Sequence, residues 1–298
     1  MDRIMALPPL YKYFDARGAK LTLGNGRFRH AKPSDFNDIE DFTIRSLFSE
    51  PLEEAGRISQ NFHEILYENR HREIRADNAT LRKAAVIQHA FRVILDAIRV
   101  LREELVNVDE VALELDRMSA FAQAQVDDFN RQLQGYRALY VTTEFNSKYM
   151  WDNYAAKNTG AMVRISPLYE KDSKFKLFKP VKYSERHPSL YDHADQFVFD
   201  ALFGDRENTM SEILDRAIYS KTNEWKFESE YRLAIPIFEH EEAWDTLPFH
   251  PEEVDQLYLG HAMTAADAEE IIAKAIRLNP AIEIYRPNAN GNGDFNRV

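Results

Sequence analysis

The chain has 298 residues, 44% hydrophobic and 12% aromatic, enough to bury the core of one large domain or of a domain with an embedded lobe. A formal charge of −11 disfavours sequence-independent binding to nucleic acid, which needs clustered Lys and Arg, and leaves room for no more than a local basic patch. The absence of cysteine removes disulfides, thiolate nucleophiles and Cys-ligated zinc.

No apolar run approaches the roughly 18 residues that span a bilayer. Met1-Asp2-Arg3 leads into Pro8-Pro9 rather than into an apolar signal stretch, so a globular, cytoplasmic protein with no membrane partner is expected.

Residues 1–50 read as the first strands of a core. Tyr11-Lys12-Tyr13-Phe14 fits a strand, Gly24-Asn25-Gly26 a hairpin turn, and Phe28-Arg29-His30-Ala31 its return. In the loop that follows, Asn37-Asp38 either forms an Asx-turn and helix cap or borders a ligand.

Residues 51–135 have no Gly or Pro between Gly56 and Gly135 and are rich in Glu, Arg, Ala, Leu and Gln, which predicts helices. Asn78 can cap a helix with the stripe Leu81, Ala84, Ala85, Ile87, Phe91, Ile94, Leu95, Ile98 and Leu101. Asp109 can cap another, with Val111, Leu113, Leu115 and Met118. The region is expected to be a helical insertion or lid, with homodimerisation as a second use.

Residues 136–288 alternate strands and helices. Strands are predicted over 137–145, 161–165, 175–183, 230–238, 254–259 and 281–286, and helices after Asn146 or Ser147 and over 189–203, 209–221 and 265–278. Thr209 and Glu212 suit a capping box. Short strands, partly without intervening helices, imply an α+β fold with a mixed or antiparallel sheet. The tail 289–298 is expected to be flexible.

Familiar site types are missing. The sequence has no Gly-x-Gly-x-x-Gly, no Gly-x-x-x-x-Gly-Lys-Ser/Thr, no Gly-x-Ser-x-Gly and no His-Glu-x-x-His. His187, Asp192, His193 and Asp195 are explained by a turn and a helix start, so no metal site is expected. The lysines Lys174, Lys176, Lys179 and Lys182, interleaved with Phe175, Phe178 and Tyr183, read as a protected edge strand.

The segment Trp225-Lys226-Phe227-Glu228-Ser229-Glu230-Tyr231-Arg232 holds the clearest chemical signal. On a strand, Glu228, Glu230 and Arg232 would share one face and Phe227, Tyr231, Leu233, Ile235 and Ile237 the other. A solvated face of balanced charges and a catalytic carboxylate pair both fit that pattern.

Four segments together resemble a known pattern: Leu10-Tyr11-Lys12-Tyr13-Phe14, Phe36-Asn37-Asp38, Met150-Trp151-x-x-Tyr154-Ala155 through Gly160, and Trp225-x-x-Glu228-x-Glu230-Tyr231-Arg232. The set resembles the bacterial and phage family termed domain of unknown function 2971. Ile39 stands where that family has proline, and Asn158 where it often has histidine.

The order of elements is similar to that of NAD-dependent ADP-ribosyltransferases, which implies a split-sheet fold and NAD as substrate. It also implies a macromolecular acceptor and, in bacteria and phage, a toxin or phage-defence role. By that resemblance Glu230 stabilises positive charge on the ribose and Glu228 is the acceptor-side base. Lys12 or Arg232 meets the pyrophosphate, Tyr13, Trp151, Tyr154 and Trp225 stack on the ligand, and Thr143 and Asn37 hold it.

Two other classes compete. One is a metal-dependent nuclease or phosphodiesterase with Mg²⁺ on Asp38, Glu228 and Glu230; the other is a regulatory protein that binds a partner through its helical region.

Overall fold

The computed structural model describes residues 6–36, 38, 40–49, 58–75, 78–93, 124, 126–204, 206–237, 242–288 and 294–298. In chain order the strands are β1 (Leu10–Phe14), β2 (Arg27–Ala31), β3 (Ser46–Phe48), β4 (Tyr136–Thr142), β5 (Ala161–Ile165), β6 (Lys179–Pro180) and β7 (Lys182–Ser184). They continue as β8 (Ser189–Tyr191), β9 (Ser220–Thr222), β10 (Glu230–Pro236), β11 (Trp244–Pro248), β12 (Val254–Leu259), β13 (Glu283–Pro287) and β14 (Phe295–Arg297). The helices are α1 (Ala16–Asn25), α2 (Ile58–Glu68), α3 (Ala79–Val93), α4 (Lys148–Tyr154), α5 (Ala194–Phe203), α6 (Arg206–Ile218) and α7 (Ala265–Leu278). The fold is α+β with a mostly antiparallel sheet. Among the described residues, no helix is long and apolar enough to cross a membrane.

Two compact units divide the chain: 1–39 with 134–184 and 221–298, and 40–133 with 185–220. The second unit therefore adds 185–220 to the helical region, a stretch whose alternating pattern reads in the sequence as part of the core.

The first unit is built on a ten-stranded sheet in the order β11-β2-β4-β1-β5-β12-β13-β14, with β10 pairing β4 and β6. β10 lies antiparallel along the whole of one edge of β4, from Glu230 opposite Thr142 to Pro236 opposite Tyr136. The other edge is shared, because β2 meets it at Ala138 and β1 at Thr142. The sheet thus divides at β4.

Alternation fixes which side chains each face buries. Leu10, Phe14, Leu139, Val141, Val163 and Leu233 form the core on one face, together with Ala19 and Leu23 of α1 and Ile271 and Ala275 of α7. Tyr13, Met162 and Tyr258 pack on the opposite face with Met150 and Trp151 of α4. β12 and β13 pair in parallel, with α7 as the connection that parallel strands require.

The second unit has its own core of Phe48, Phe62, Leu66, Leu81, Ile87, Phe197 and Leu202, and a parallel β3–β8 pair. Asn78 caps α3 by accepting from the Leu81 N–H at 2.8 Å, and Leu81, Ala84 and Ile87 are buried as the stripe predicts. The remainder of that stripe from Ile94, and the helix predicted after Asp109, lie outside the described residues.

Several expectations are corrected. Gly24-Asn25-Gly26 is the end of α1, not a hairpin: Asp15 caps the helix start, and Gly26 at φ 62° supplies the left-handed C-cap. The same Gly-Asn-Gly chemistry serves both purposes. The predicted 175–183 strand breaks into a 3-10 helix, Lys174–Leu177, and the short β6 and β7. The helix expected over 189–203 is β8 followed by α5, and α6 starts at Arg206, ahead of the expected Thr209 cap. Within the tail, Phe295–Arg297 is ordered as β14 against β13, while 289–293 lie outside the described residues.

Candidate functional site

The acid pair does not lie on one strand. Residues Asn223–Glu228 form a 3-10 helix, Ser229 turns the chain through a left-handed φ of 45°, and β10 begins at Glu230. A non-glycine residue in that region is disfavoured, and the turn is held by its surroundings. The Ser229 hydroxyl donates to Glu144 Oε1 at 2.7 Å, and its carbonyl accepts from the Thr143 N–H at 3.2 Å. Phe227 is 47% exposed, so the expected apolar strand face does not include it.

Both carboxylates nevertheless converge, on Lys221. Its Nζ is 2.9 Å from Glu228 Oε2 and 3.4 Å from Glu230 Oε2. Arg232 donates through Nε to Glu230 Oε1 at 2.5 Å and through Nη2 to Oε2 at 3.2 Å, a bidentate pair. The Tyr154 hydroxyl donates to Glu228 Oε1 at 2.6 Å. Lys221 also lies 4.4 Å from the Trp225 ring centroid and the Arg232 guanidinium 5.2 Å from that of Tyr140, both within cation–π range.

These charges are buried: Glu228 is 4% exposed, Glu230 6%, Lys221 8% and Arg232 0%. Burial alone would raise the Glu230 pKa, but Arg232 and Lys221 outweigh it and hold the carboxyl below its usual range. Burial, reinforced by the Glu228 carboxylate, keeps the Tyr154 phenol well above its usual value. The Glu230 N–H donates to the Tyr183 hydroxyl at 2.9 Å, and burial pushes that phenol up to about 12. The result is a desolvated set of opposed charges in which Tyr154 is a proton donor rather than a base.

Of the residues read from the sequence, Glu228, Glu230, Tyr154, Trp225 and Arg232 meet here. Thr143 borders the set through its backbone bond to Ser229. Its neighbour Thr142 is the better placed hydroxyl, donating to the Glu228 carbonyl at 2.5 Å and accepting from the Glu144 N–H at 2.9 Å.

Tyr13 and Trp151 do not join the cluster as ligand-stacking surfaces. Their rings pack edge to face at 5.2 Å in the core, with Tyr13 donating to the Glu144 carbonyl and Trp151 to Asn146 Oδ1. Alternation along β1 sets Lys12 on the face of Leu10 and Phe14, opposite Tyr11 and Tyr13, and within electrostatic reach of Glu230. Burial pushes its ammonium down to about 8, with Glu230 opposing and Arg29 adding to the effect. Arg232 is fully buried against Glu230 rather than turned toward a pyrophosphate. Asn37 lies outside the described residues.

Lys221 and Tyr183 escaped the sequence reading. Lys221 stands seven positions before Glu228, a spacing no periodic rule singles out, and Tyr183 was absorbed into a lysine-rich run. Among the described residues, no group of three or more His, Asp and Glu side chains converges as a metal site. His187 pairs with Glu40 at 2.9 Å, and His193 is the N-cap residue of α5. No family model, curated protein or solved structure matches the chain.

Proposed function

We propose that the protein is an ADP-ribosyltransferase-like enzyme that cleaves the nicotinamide–ribose bond of NAD and passes ADP-ribose to a macromolecule, as a toxin or phage-defence effector, and that it belongs with the domain of unknown function 2971 family. One observation carries the reading. Glu230, Thr142 and Tyr11 stand in register across three adjacent strands, which are the glutamate strand, the hydroxyl strand and the first strand of the expected order. The division of the sheet at β4 supports a split-sheet relation in the same way.

In this reading the chain's own residues do the following. Glu230, held ionised by Arg232 and Lys221, stabilises positive charge on the ribose where water is excluded. Glu228 takes the acceptor's proton, and Tyr154 orients that carboxylate through its hydroxyl. Trp225, partly exposed beside Lys221, offers a face for stacking. Lys221 must move aside for a substrate to reach the acid pair.

The test is nicotinamide release from NAD by the purified chain with candidate acceptors. Glu230→Gln is expected to lower the rate by about a hundredfold or more, as loss of a preorganised electrostatic contact does. No nicotinamide release, together with no shift of Tm by NAD, sinks the proposal.

A second reading has its own support: both carboxylates already have cationic partners, as in a structural ion-pair cluster. It predicts that Glu228→Gln and Glu230→Gln change stability and no activity. The metal-dependent alternative is weaker, since Lys221 stands between the two carboxylates where a hard cation would bind.

A further inference from the structure

A separate cleft in the first unit has a volume of about 1120 Å³, a little above the roughly 300–1,000 Å³ of small-molecule sites and roomy enough for one. It opens beyond the carboxyl ends of the parallel pair β12 and β13, at Gly260 and Pro287. Trp151, Leu259, Met263 and Phe295 line it as an apolar floor, with the Trp151 and Phe295 rings stacked at 6.1 Å.

Asn158 on its wall ends a run of three left-handed residues, Ala156, Lys157 and Asn158, at φ 47°, 56° and 66°. A Cβ on Gly260 would fall 2.1 Å from the Asn158 carbonyl oxygen, so this wall is bare backbone.

The charge at the cleft opposes that of the chain. Lys148, His261 and Arg286 line it with one carboxylate, Asp152, which is already engaged by Lys148 and by Asn158 Nδ2 at 3.1 Å. The side chains of Arg286 and His261 are exposed and take no hydrogen-bond partner among the described residues, and His261 lies within electrostatic reach of Asp152. An exposed guanidinium beside an imidazole, over an aromatic floor, matches an anionic group carried on a flat aromatic body.

We infer that this cleft binds a nucleotide, with its phosphate at Arg286 and His261 and its base against Phe295. The inference stands apart from the acid pair and does not depend on NAD cleavage.

The test is calorimetric titration of the full chain with AMP, with adenosine and inorganic phosphate as separate arms. AMP is expected to bind one to one and more tightly than either fragment, with affinity falling as salt rises. Arg286→Glu is expected to weaken AMP by about tenfold or more, and His261→Ala to weaken it less, both with Tm unchanged. Glu230→Gln should leave AMP affinity intact, so nicotinamide release and AMP binding can fail independently. Absence of AMP binding, binding unmoved by both cleft substitutions, or phosphate or adenosine binding as tightly as AMP overturns the inference.

Discussion

At Lys221 a single ammonium is shared between two carboxylates with almost no solvent to replace it. Methionine at that position keeps the stem and removes the charge, which is expected to cost about 3–5 kcal/mol, the range for breaking a buried ion pair from one side. Urea denaturation would measure it. The sign of the pH dependence follows from Glu230: its carboxyl pKa is lower folded than unfolded, so its contribution is complete above the unfolded value and disappears as pH falls through the folded one. Stability should therefore drop on acidification below about pH 4.5, and the drop should be smaller in Glu230→Gln. Lys12 works in the opposite direction. Its folded pKa of about 8 lies below the unfolded value of 10.5, so the unfolded chain holds the extra proton between them and stability rises with pH across that window. Lys12→Met is expected to be more stable at neutral pH and to lose that rise, as thermal scans at pH 7 and 9.5 would show.

At the scale of elements, the close approach at Gly160 is a firm requirement. A Cβ there would sit 1.9 Å from the Phe14 carbonyl oxygen, where β1 passes the start of β5. Gly160→Ala is expected to cost about 1–3 kcal/mol through forced displacement of packed backbone, read as a lower urea midpoint. Elements with strong local signals were legible in the sequence. Ser147 caps α4, Thr264 caps α7, and β4, β5, β10 and β12 form where strands are predicted, with β4, β5 and β12 buried on both faces for most of their length. The approach to β10 was not legible, because two carboxylates two residues apart suit a strand, and nothing local announces that Ser229 breaks it with a left-handed turn. The site suffered from the same limit. Glu228, Glu230 and Tyr154 were visible as residue types in a pattern, whereas Lys221, close in sequence to Glu228, meets the acid pair through the 3-10 turn between them, which no periodic rule announces, and the face that carries Lys12 depends on how the sheet packs rather than on local pattern.

For the whole molecule, the charge of −11 predicts that the chain passes through a heparin column at low salt without retention. The helical character of the second unit was legible in composition, but its share of 185–220 was not, since assignment to a compact unit depends on contacts between remote segments rather than on local pattern. That same remoteness constrains how the molecule comes into being. β4 takes its full-length neighbour, β10, from far downstream, and its partners on the other edge, β1 and β2, from far upstream. During translation the opening strands leave the ribosome long before Glu230 exists, so the central strand pairing must wait until β10 has been made. Assembly should accordingly be slow and late, as expected where pairing joins distant parts of a chain. The acid cluster forms with it, so a nascent chain that has not reached β10 leaves Lys221 without its Glu230 partner.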